Sequence, residues 1–261
     1  MMQTSKLPPT LNYLAVHTRI HKSLQYPLPA TAIDEKELNN LSKALYAESL
    51  PKCGINRKFR IKWRDIPHEY QGLGLQNLYL HQETTKIMEL LSKSNTDHIM
   101  WNQFKVGMEY AQLQIGVRQC LYNYNYAEYG SLLSASWIKS QWRFFHMLGL
   151  HLKGWHANIP YQRENDSCIM EEFVKFGIKP DILKHLNQCR IYLQVIFVSN
   201  VANGYGDRLA PLSLKGIRDK GRKSKFKWPE QEKSSQYSFL LWKQYLQKVL
   251  CVTELSDQLG K

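Results

Sequence analysis

The sequence predicts a mainly α-helical fold, built of several helices with at most a few short strands. Along most of the 261 residues, apolar side chains recur every three or four positions, which is the spacing of one helix face. Residues that favour helix starts, such as Asp34 and Pro180, precede several of these segments. Strand-like patterns are short, so we expect no extensive sheet.

Five segments before residue 150 carry the helical spacing. Pro27 and Pro29 are expected to end the first, which is weakly patterned, and the third is expected to cover about residues 76–93. Asp97 and Ser136 are expected to begin the fourth and fifth. The apolar positions of the five are Leu11, Leu14, Ala15 and Leu24; Leu38, Leu41 and Leu45; Leu80, Ile87, Leu90 and Leu91; Trp101, Phe104, Met108, Ala111 and Ile115; and Ile138, Trp142, Phe145 and Leu148.

Three further helices are predicted in the second half of the chain. Gly177 is expected to close the short helix CIMEEFVKFG, and Pro180 to open DILKHLNQC. The following stretch, IYLQVIFV, fits either a buried strand or a continuation of that helix, and periodicity does not decide between them. LHLKGW, residues 150–155, alternates apolar and polar residues like a short strand. The last helix, SSQYSFLLWKQYLQKVL, is amphipathic, with one side formed by Phe239, Trp242, Leu246 and Val249.

Composition divides the chain into three segments. Residues 215–227 hold seven basic residues, one aspartate and two glycines, and no apolar period, which is typical of an exposed linker. We therefore expect a mainly helical domain over residues 1–214, a basic linker over 215–230 and a C-terminal amphipathic helix over 231–261.

The charge balance favours a polyanionic partner. Lys and Arg number 35 against 22 Asp and Glu, a net charge of +13 that suits nucleic acid or an anionic membrane surface. Membrane insertion is not expected, because the longest uncharged run, residues 191–206, is too short to span and contains polar residues. The N-terminus lacks the features of a signal peptide. Five widely spaced cysteines without a CxxC pair are expected to be reduced thiols of an intracellular protein.

The sequence contains no motif of a self-contained active site. QGLGLQNL begins like a dinucleotide-binding loop, but Gly72 and Gly74 lack the third glycine and a preceding buried strand, so we expect only a turn into a helix. There is no GK[ST] triplet, no Asp-Asp pair and no H-E-x-x-H, and the isolated carboxylates of Asp181 and Asp207 are poor anchors for two metal ions. We therefore expect no catalytic residue, metal or cofactor.

Two basic segments are the candidate nucleic-acid-binding sites. In KCGINRKFRIKWR, Phe59, Ile61 and Trp63 alternate with cations. An extended stretch of this kind would place the cations on one side, against phosphates, and let Trp63 stack on a base. The alternative is a basic edge strand whose charges deter aggregation, with Trp63 in the core. The second segment ends FKWPE and repeats the pairing of cation and aromatic. The predicted binding residues are Lys52, Arg57, Lys58, Arg60, Lys62, Trp63, Arg64, Arg222, Lys223, Lys225, Lys227 and Trp228.

A tyrosine cluster, LYNYNYAEYG, offers a further stacking surface for single-stranded bases. The surrounding residues, 101–161, are otherwise poor in charge, so we expect a structural role for Tyr122, Tyr124, Tyr126 and Tyr129.

An ordered set of motifs resembles the region downstream of the polymerase core in reverse-transcriptase-like retroelement proteins of diatoms and related microbial eukaryotes. The motifs are LPKCGINRKF, IPHEYQGLGLQNLYLHQETTKIMELL, SASWIKSQWRF, and RENDSCIMEEF followed by LNQCRIYLQVIFVSN. The resemblance spans about Leu11 to Leu246. Gln71 stands where that family has the first of two adjacent glycines, and Ser199-Asn200 stands where it has Ser-Asp.

The resemblance implies a thumb-like or connection-like helical region that grips a template–primer duplex, without the palm and its metal-binding aspartates. We therefore expect a non-catalytic, nucleic-acid-binding C-terminal region of a reverse transcriptase, whose partners are an RNA–DNA hybrid or single strand and the polymerase core. An alternative is a helical adaptor that docks a protein or membrane surface through its C-terminal helix. A third, a hydrolase, requires a metal site that would include Asp207.

Overall fold

The computed structural model describes residues 7–94, 98–151, 158–219, 221, 226–250 and 259. Within them the chain is mainly helical, as predicted, and its β pairing is limited to two isolated bridges, Cys168 with Phe197 and Ala202 with Leu209. No described helix has the length and apolarity needed to cross a bilayer. The α-helices are α1 (Pro9–Ala15), α2 (His21–Gln25), α3 (Glu35–Ser49), α4 (Ile61–Asp65), α5 (Leu78–Lys93), α6 (Ile99–Ile115), α7 (Tyr126–Tyr129), α8 (Trp137–Leu148), α9 (Ile169–Lys175), α10 (Pro180–Leu193), α11 (Pro211–Leu214) and α12 (Gln236–Leu250).

The chain divides into two compact units. The first unit comprises residues 1–98 and 135–144, and the second comprises residues 99–134 and 145–261. Helix α8 therefore contributes residues to both, and α12 belongs to the second unit. The three segments expected from composition, with boundaries at residues 214 and 230, are a different kind of division from these packed units. They stay a prediction.

In the first unit, the first predicted helix is present, but its buried face carries polar residues as well as Val16. A π-helical stretch, Val16–Ile20, joins α1 to α2. Leu11 and Leu14 are 48% and 55% exposed, whereas Asn12 and His21 are buried. Buried polar groups are tolerated when they are hydrogen-bonded. Asn12 Nδ2 donates to a backbone carbonyl at 2.8 Å, which accounts for its inward position.

Helices α3, α5 and α8, with the 3-10 helix Leu28–Ala30, supply one buried apolar cluster of the first unit. Asn77 caps α5 by accepting from the backbone N–H groups of Tyr79 and Leu80, at 2.9 and 3.1 Å. Leu80, predicted as part of the apolar face, is 44% exposed. The buried cluster consists of Leu28, Leu38, Leu78, Tyr79 and Phe144.

A buried ion pair lies on the inward face of α5. Lys86 Nζ is 2.8 Å from Glu83 Oε1, and both side chains have no exposed surface. Gln82 Nε2 and Ser140 Oγ donate to the same carboxylate oxygen at 2.7 and 2.6 Å. The Lys86 ammonium also lies 5.7 Å from the ring centroid of Trp137. These contacts offset part of the desolvation cost of two buried charges.

In the second unit, α9, α10 and α12 pack together. Gly177, with a φ of 78°, follows α9, and Pro180 opens α10, as predicted. Trp242 of α12 is fully buried and meets Phe173 of α9 edge to face at 6.0 Å. Leu246 is also fully buried. The predicted apolar side of α12 is therefore largely occupied within its own unit.

The stretch IYLQVIFV begins as a continuation of the helix and ends as extended chain, so each of the two alternatives describes part of it. Helix α10 continues through Leu193 and ends at Gln194, whose φ is 57°. The chain then extends, and Phe197 forms an isolated bridge with Cys168.

Arg190 ties this region to the end of α6. The side chain is fully buried. Its guanidinium donates to the carbonyl oxygens of Leu113, Gln114 and Val195 at 2.6, 3.0 and 3.1 Å. The last carbonyls of a helix have no partner within the helix, so Arg190 satisfies two of those at the C-terminus of α6.

The tyrosine cluster makes the contacts expected of a structural role. Tyr122 and Tyr129 are each 5% exposed, and Tyr122 stacks on Phe145 at 4.6 Å. The Tyr124 hydroxyl donates to Glu171 Oε1 at 2.7 Å.

The four described cysteines, Cys53, Cys120, Cys168 and Cys189, form no disulfide. Asp97, Cys251 and most of the predicted strand 150–155 lie outside the described residues.

Candidate nucleic-acid interface

The Gly72–Gly74 segment is a tight turn, as predicted. Gly74 has a φ of 60°, a left-handed conformation that favours glycine. A Cβ on Gly72 would lie 1.9 Å from the carbonyl oxygen of Ile66, so only glycine fits. The Gly74 N–H donates to that same oxygen at 2.9 Å. The turn therefore folds directly onto the chain that leaves α4.

Two backbone hydrogen bonds join this turn to α4 itself. The N–H groups of Leu73 and Leu75 donate to the carbonyl oxygens of Trp63 and Arg64 at 3.1 and 2.8 Å. Carbonyls at a helix C-terminus need such partners. The turn thus fixes the short helix that carries three of the predicted binding residues.

The extended conformation predicted for residues 58–64 is wrong from Ile61 onward, although Arg60 itself is extended, and the edge-strand alternative is wrong as well. Residues Ile61–Asp65 form α4, and the Trp63 N–H donates to the Arg60 carbonyl at 3.0 Å. Alternation over seven residues is compatible with one helical turn. Hydrogen bonds from the later turn decide in favour of the helix, and they cannot be read from the local pattern.

Four predicted cations of KCGINRKFRIKWR are nevertheless exposed, and we call these four the basic segment: Arg57, Lys58, Arg60 and Lys62. In the described part of the chain, no ion pair joins any of them to a carboxylate. Lys52 is half-buried, in the 3-10 helix Pro51–Cys53. Four charges of one sign without acidic partners form a positive surface that is available to phosphates.

Trp63 lies next to the basic segment and is 43% exposed. The core position that the edge-strand alternative gave it is therefore not observed. The residue is therefore partly accessible to a ligand, and its backbone carbonyl accepts from the N–H of Leu73 in the turn.

Arg64 differs from these four cations because its side chain is turned into the protein. It is 6% exposed, and its guanidinium carbon lies 4.6 Å from the ring centroid of Tyr46 on α3. A residue this buried cannot join a surface that follows a nucleic-acid backbone. The sequence pattern grouped Arg64 with the exposed cations, because the pattern contains no signal that shows which cation is buried.

Sequence reasoning missed a polar cluster around Tyr46. His17 and His21 have the H-x3-H spacing of many metal sites, and their rings stack at 6.3 Å. His21 Nε2, however, lies 2.7 Å from the Tyr46 hydroxyl, and its Nδ1 accepts from Gln25 at 2.9 Å. Burial, and then the nearby charge of His17, lower the pKa of His21, while burial raises the pKa of Tyr46.

The second basic segment is described only in part. Arg222, Lys223 and Lys225 lie outside the described residues, and Lys227 is exposed. Trp228 and Phe226 pack against a buried cluster of the second unit that contains Phe197 and Cys168. The Trp228 ring also lies 5.7 Å from the Arg190 guanidinium carbon. The two basic segments belong to different units.

The carboxylates considered as possible metal anchors do not form a metal site in the described part of the chain. They contain no group of three or more His, Cys, Asp or Glu side chains placed to hold a metal ion. Asp207 accepts from Asn203 Nδ2 at 2.6 Å within its own loop. Asp181, at the start of α10, is 94% exposed and makes an i,i+3 pair with Lys184.

Comparisons with protein-family models, with curated proteins and with solved structures find no match for this chain.

Proposed function

We propose that the chain binds nucleic acid through the basic segment and Trp63, and that it acts as the non-catalytic, post-palm region of a reverse transcriptase. The observation that carries the proposal is a set of four exposed cations, without acidic partners among the described residues, beside an exposed indole. Cations that replace the counterions of phosphates supply most of the affinity of such surfaces. The net charge of +13 strengthens the attraction at long range.

The arrangement favours a single strand over a duplex. Bases within a duplex are stacked on each other and present no free face, whereas unpaired bases stack on aromatic side chains. Trp63 offers that stacking surface, and α4 holds it in place through the turn at Gly74. A single-stranded template close to a primer end offers phosphates to the basic segment and unpaired bases to Trp63.

The test is the salt dependence of binding to a labelled single-stranded oligonucleotide, measured by fluorescence anisotropy. The variant Arg57→Gln/Lys58→Gln/Arg60→Gln/Lys62→Gln removes the basic segment. For single strands, each lost phosphate contact lowers the log–log salt slope by about 0.7, so four contacts account for a change of about 3.

A matched control removes the same charge elsewhere. Lys36, Lys179, Lys233 and Lys243 are exposed, and their replacement by glutamine changes the net charge equally. We expect this control to bind nearly as the original chain does. Equal weakening of both variants would mean that net charge alone drives binding, and it would refute the assignment to the basic segment.

A further inference from the structure

A cavity of about 330 Å³ opens in the first unit beside α4. Its walls come from three helices and their ends, and polar side chains dominate them. This volume is at the lower end of the range for small-ligand sites. The residues that matter here are Asn39, Ser42, Lys43, Arg64, Asp65 and Asn77.

Arg64 is the unusual member of this wall. It is 6% exposed, and its Nε–H is buried with no hydrogen-bond partner among the described residues. A guanidinium has five N–H donors in a planar fork, and a buried donor left without an acceptor is costly. The face of Tyr46 supports the cation from one side but accepts no conventional hydrogen bond. Arg64 lines the cavity, so an anionic ligand there would compensate the charge of this buried guanidinium.

The other charges of the wall define the ligand further. Lys43, exposed on α3, adds a second cation, and Asp65 adds one carboxyl group. Burial raises the pKa of Asp65, while the charge of Arg64 and a hydrogen bond with Asn77 act in the opposite direction. An anion in the cavity therefore meets two cations and one acidic side chain, and the Asp65 carboxyl could accept from a hydroxyl of the same ligand.

We propose that this cavity, the Arg64 pocket, binds a phosphate monoester of about the size of a nucleoside monophosphate. The fork of Arg64 matches two phosphate oxygens, and Lys43 supplies a point charge for the third. Ser42 and Asn39 offer further donors, and Asp65 accepts a hydroxyl from the ligand. The phosphate can come from a free nucleotide or from the phosphorylated end of a strand. The pocket does not depend on strand binding by the basic segment.

The first test is isothermal titration of the full chain with adenosine 5′-monophosphate and with adenosine. We expect the monophosphate to bind and adenosine to bind at least about tenfold more weakly, since charge-assisted hydrogen bonds to the phosphate are lost. Arg64→Lys keeps the charge but loses the fork, and it should weaken binding by about tenfold or more. The exposed control Arg19→Lys, which lies outside both the cavity and the basic segment, should leave it unchanged. Equal affinity for both ligands, no binding of the monophosphate, or an unaffected Arg64→Lys chain would overturn the proposal.

Lys43→Gln is a second variant of the pocket, and it tests the proposal even if Arg64→Lys folds poorly. Lys43 is exposed on α3, so its replacement should leave the melting temperature unchanged. We expect affinity for the monophosphate to fall several-fold, and unchanged affinity would count against the pocket.

Two oligonucleotides then distinguish the sources of phosphate. Tighter binding of a 5′-phosphorylated strand than of its 5′-hydroxyl counterpart, removed by Arg64→Lys, assigns the pocket to strand ends. Equal binding of the two strands, with the monophosphate still bound, assigns it to a free nucleotide. Binding of the 5′-hydroxyl strand tests the basic segment separately, so the two proposals can fail independently.

Discussion

Replacing Gly72 with alanine is expected to destabilise the first unit strongly. The added Cβ would lie 1.9 Å from the carbonyl oxygen of Ile66 and 2.5 Å from its carbonyl carbon. Both are backbone atoms, so rotation of a side chain cannot relieve the contact. The turn must therefore move away from the chain that leaves α4.

The size of the loss follows from two contributions. Overpacking of this kind costs about 1–3 kcal/mol. Moving the turn also weakens hydrogen bonds such as the one from the Gly74 N–H to Ile66, which is 2.9 Å long, at about 1 kcal/mol each. Together they predict a decrease of about 2–4 kcal/mol in the free energy of unfolding, or about 5–15 °C in melting temperature.

Urea unfolding followed by far-ultraviolet circular dichroism measures this loss. Gly204→Ala is the control, because a Cβ there meets no atom within 4 Å and the backbone is not left-handed. An unchanged midpoint for Gly72→Ala, or an equal decrease in the control, would refute the account of the turn.

Three other changes test the remaining features. Lys86→Ala leaves the Glu83 carboxylate buried without its cation, and we expect a loss of about 3–5 kcal/mol in urea unfolding, with Lys86→Met less harmful. If Lys86→Ala unfolds like the original chain, the pair is not buried. Trp63→Ala should weaken single-strand binding by about 1–3 kcal/mol at fixed salt, measured at a temperature where melting curves show the variant to be folded; equal affinity would exclude stacking. Burial lowers the pKa of His21 below its ordinary value of 6.5, so the unfolded chain takes up the proton more readily. Stability should therefore fall as the pH drops from about 7 to 5, and His21→Asn should flatten this dependence in melting curves; an identical slope would contradict it.

Much of the helical framework could be predicted from the sequence. The boundaries of α3, α9 and α10 follow from local signals, such as Asp34, Gly177 and Pro180, that act within one helical turn. The buried faces of α1 and α5 could not be predicted from apolar spacing. Their inward positions carry Asn12 and Glu83, whose burial depends on partners distant in sequence.

The candidate site shows the same limit. The concentration of charge in residues 57–62 is a property of the sequence itself, and the exposure of Arg57 and Lys62 agrees with it. The helical conformation of α4 depends on hydrogen bonds from Leu73 and Leu75. The inward direction of Arg64 depends on Tyr46, which lies on another helix. Neither these hydrogen bonds nor the contact with Tyr46 can be recognised from the residues around α4 alone.

The burial of Arg190 has a consequence for synthesis of the chain. Its contact with the Leu113 carbonyl joins groups 77 positions apart. Translation releases the last turn of α6 well before the guanidinium that completes it, and a domain can finish folding only when its parts have emerged. The second unit should thus mature late, after α10 has left the ribosome.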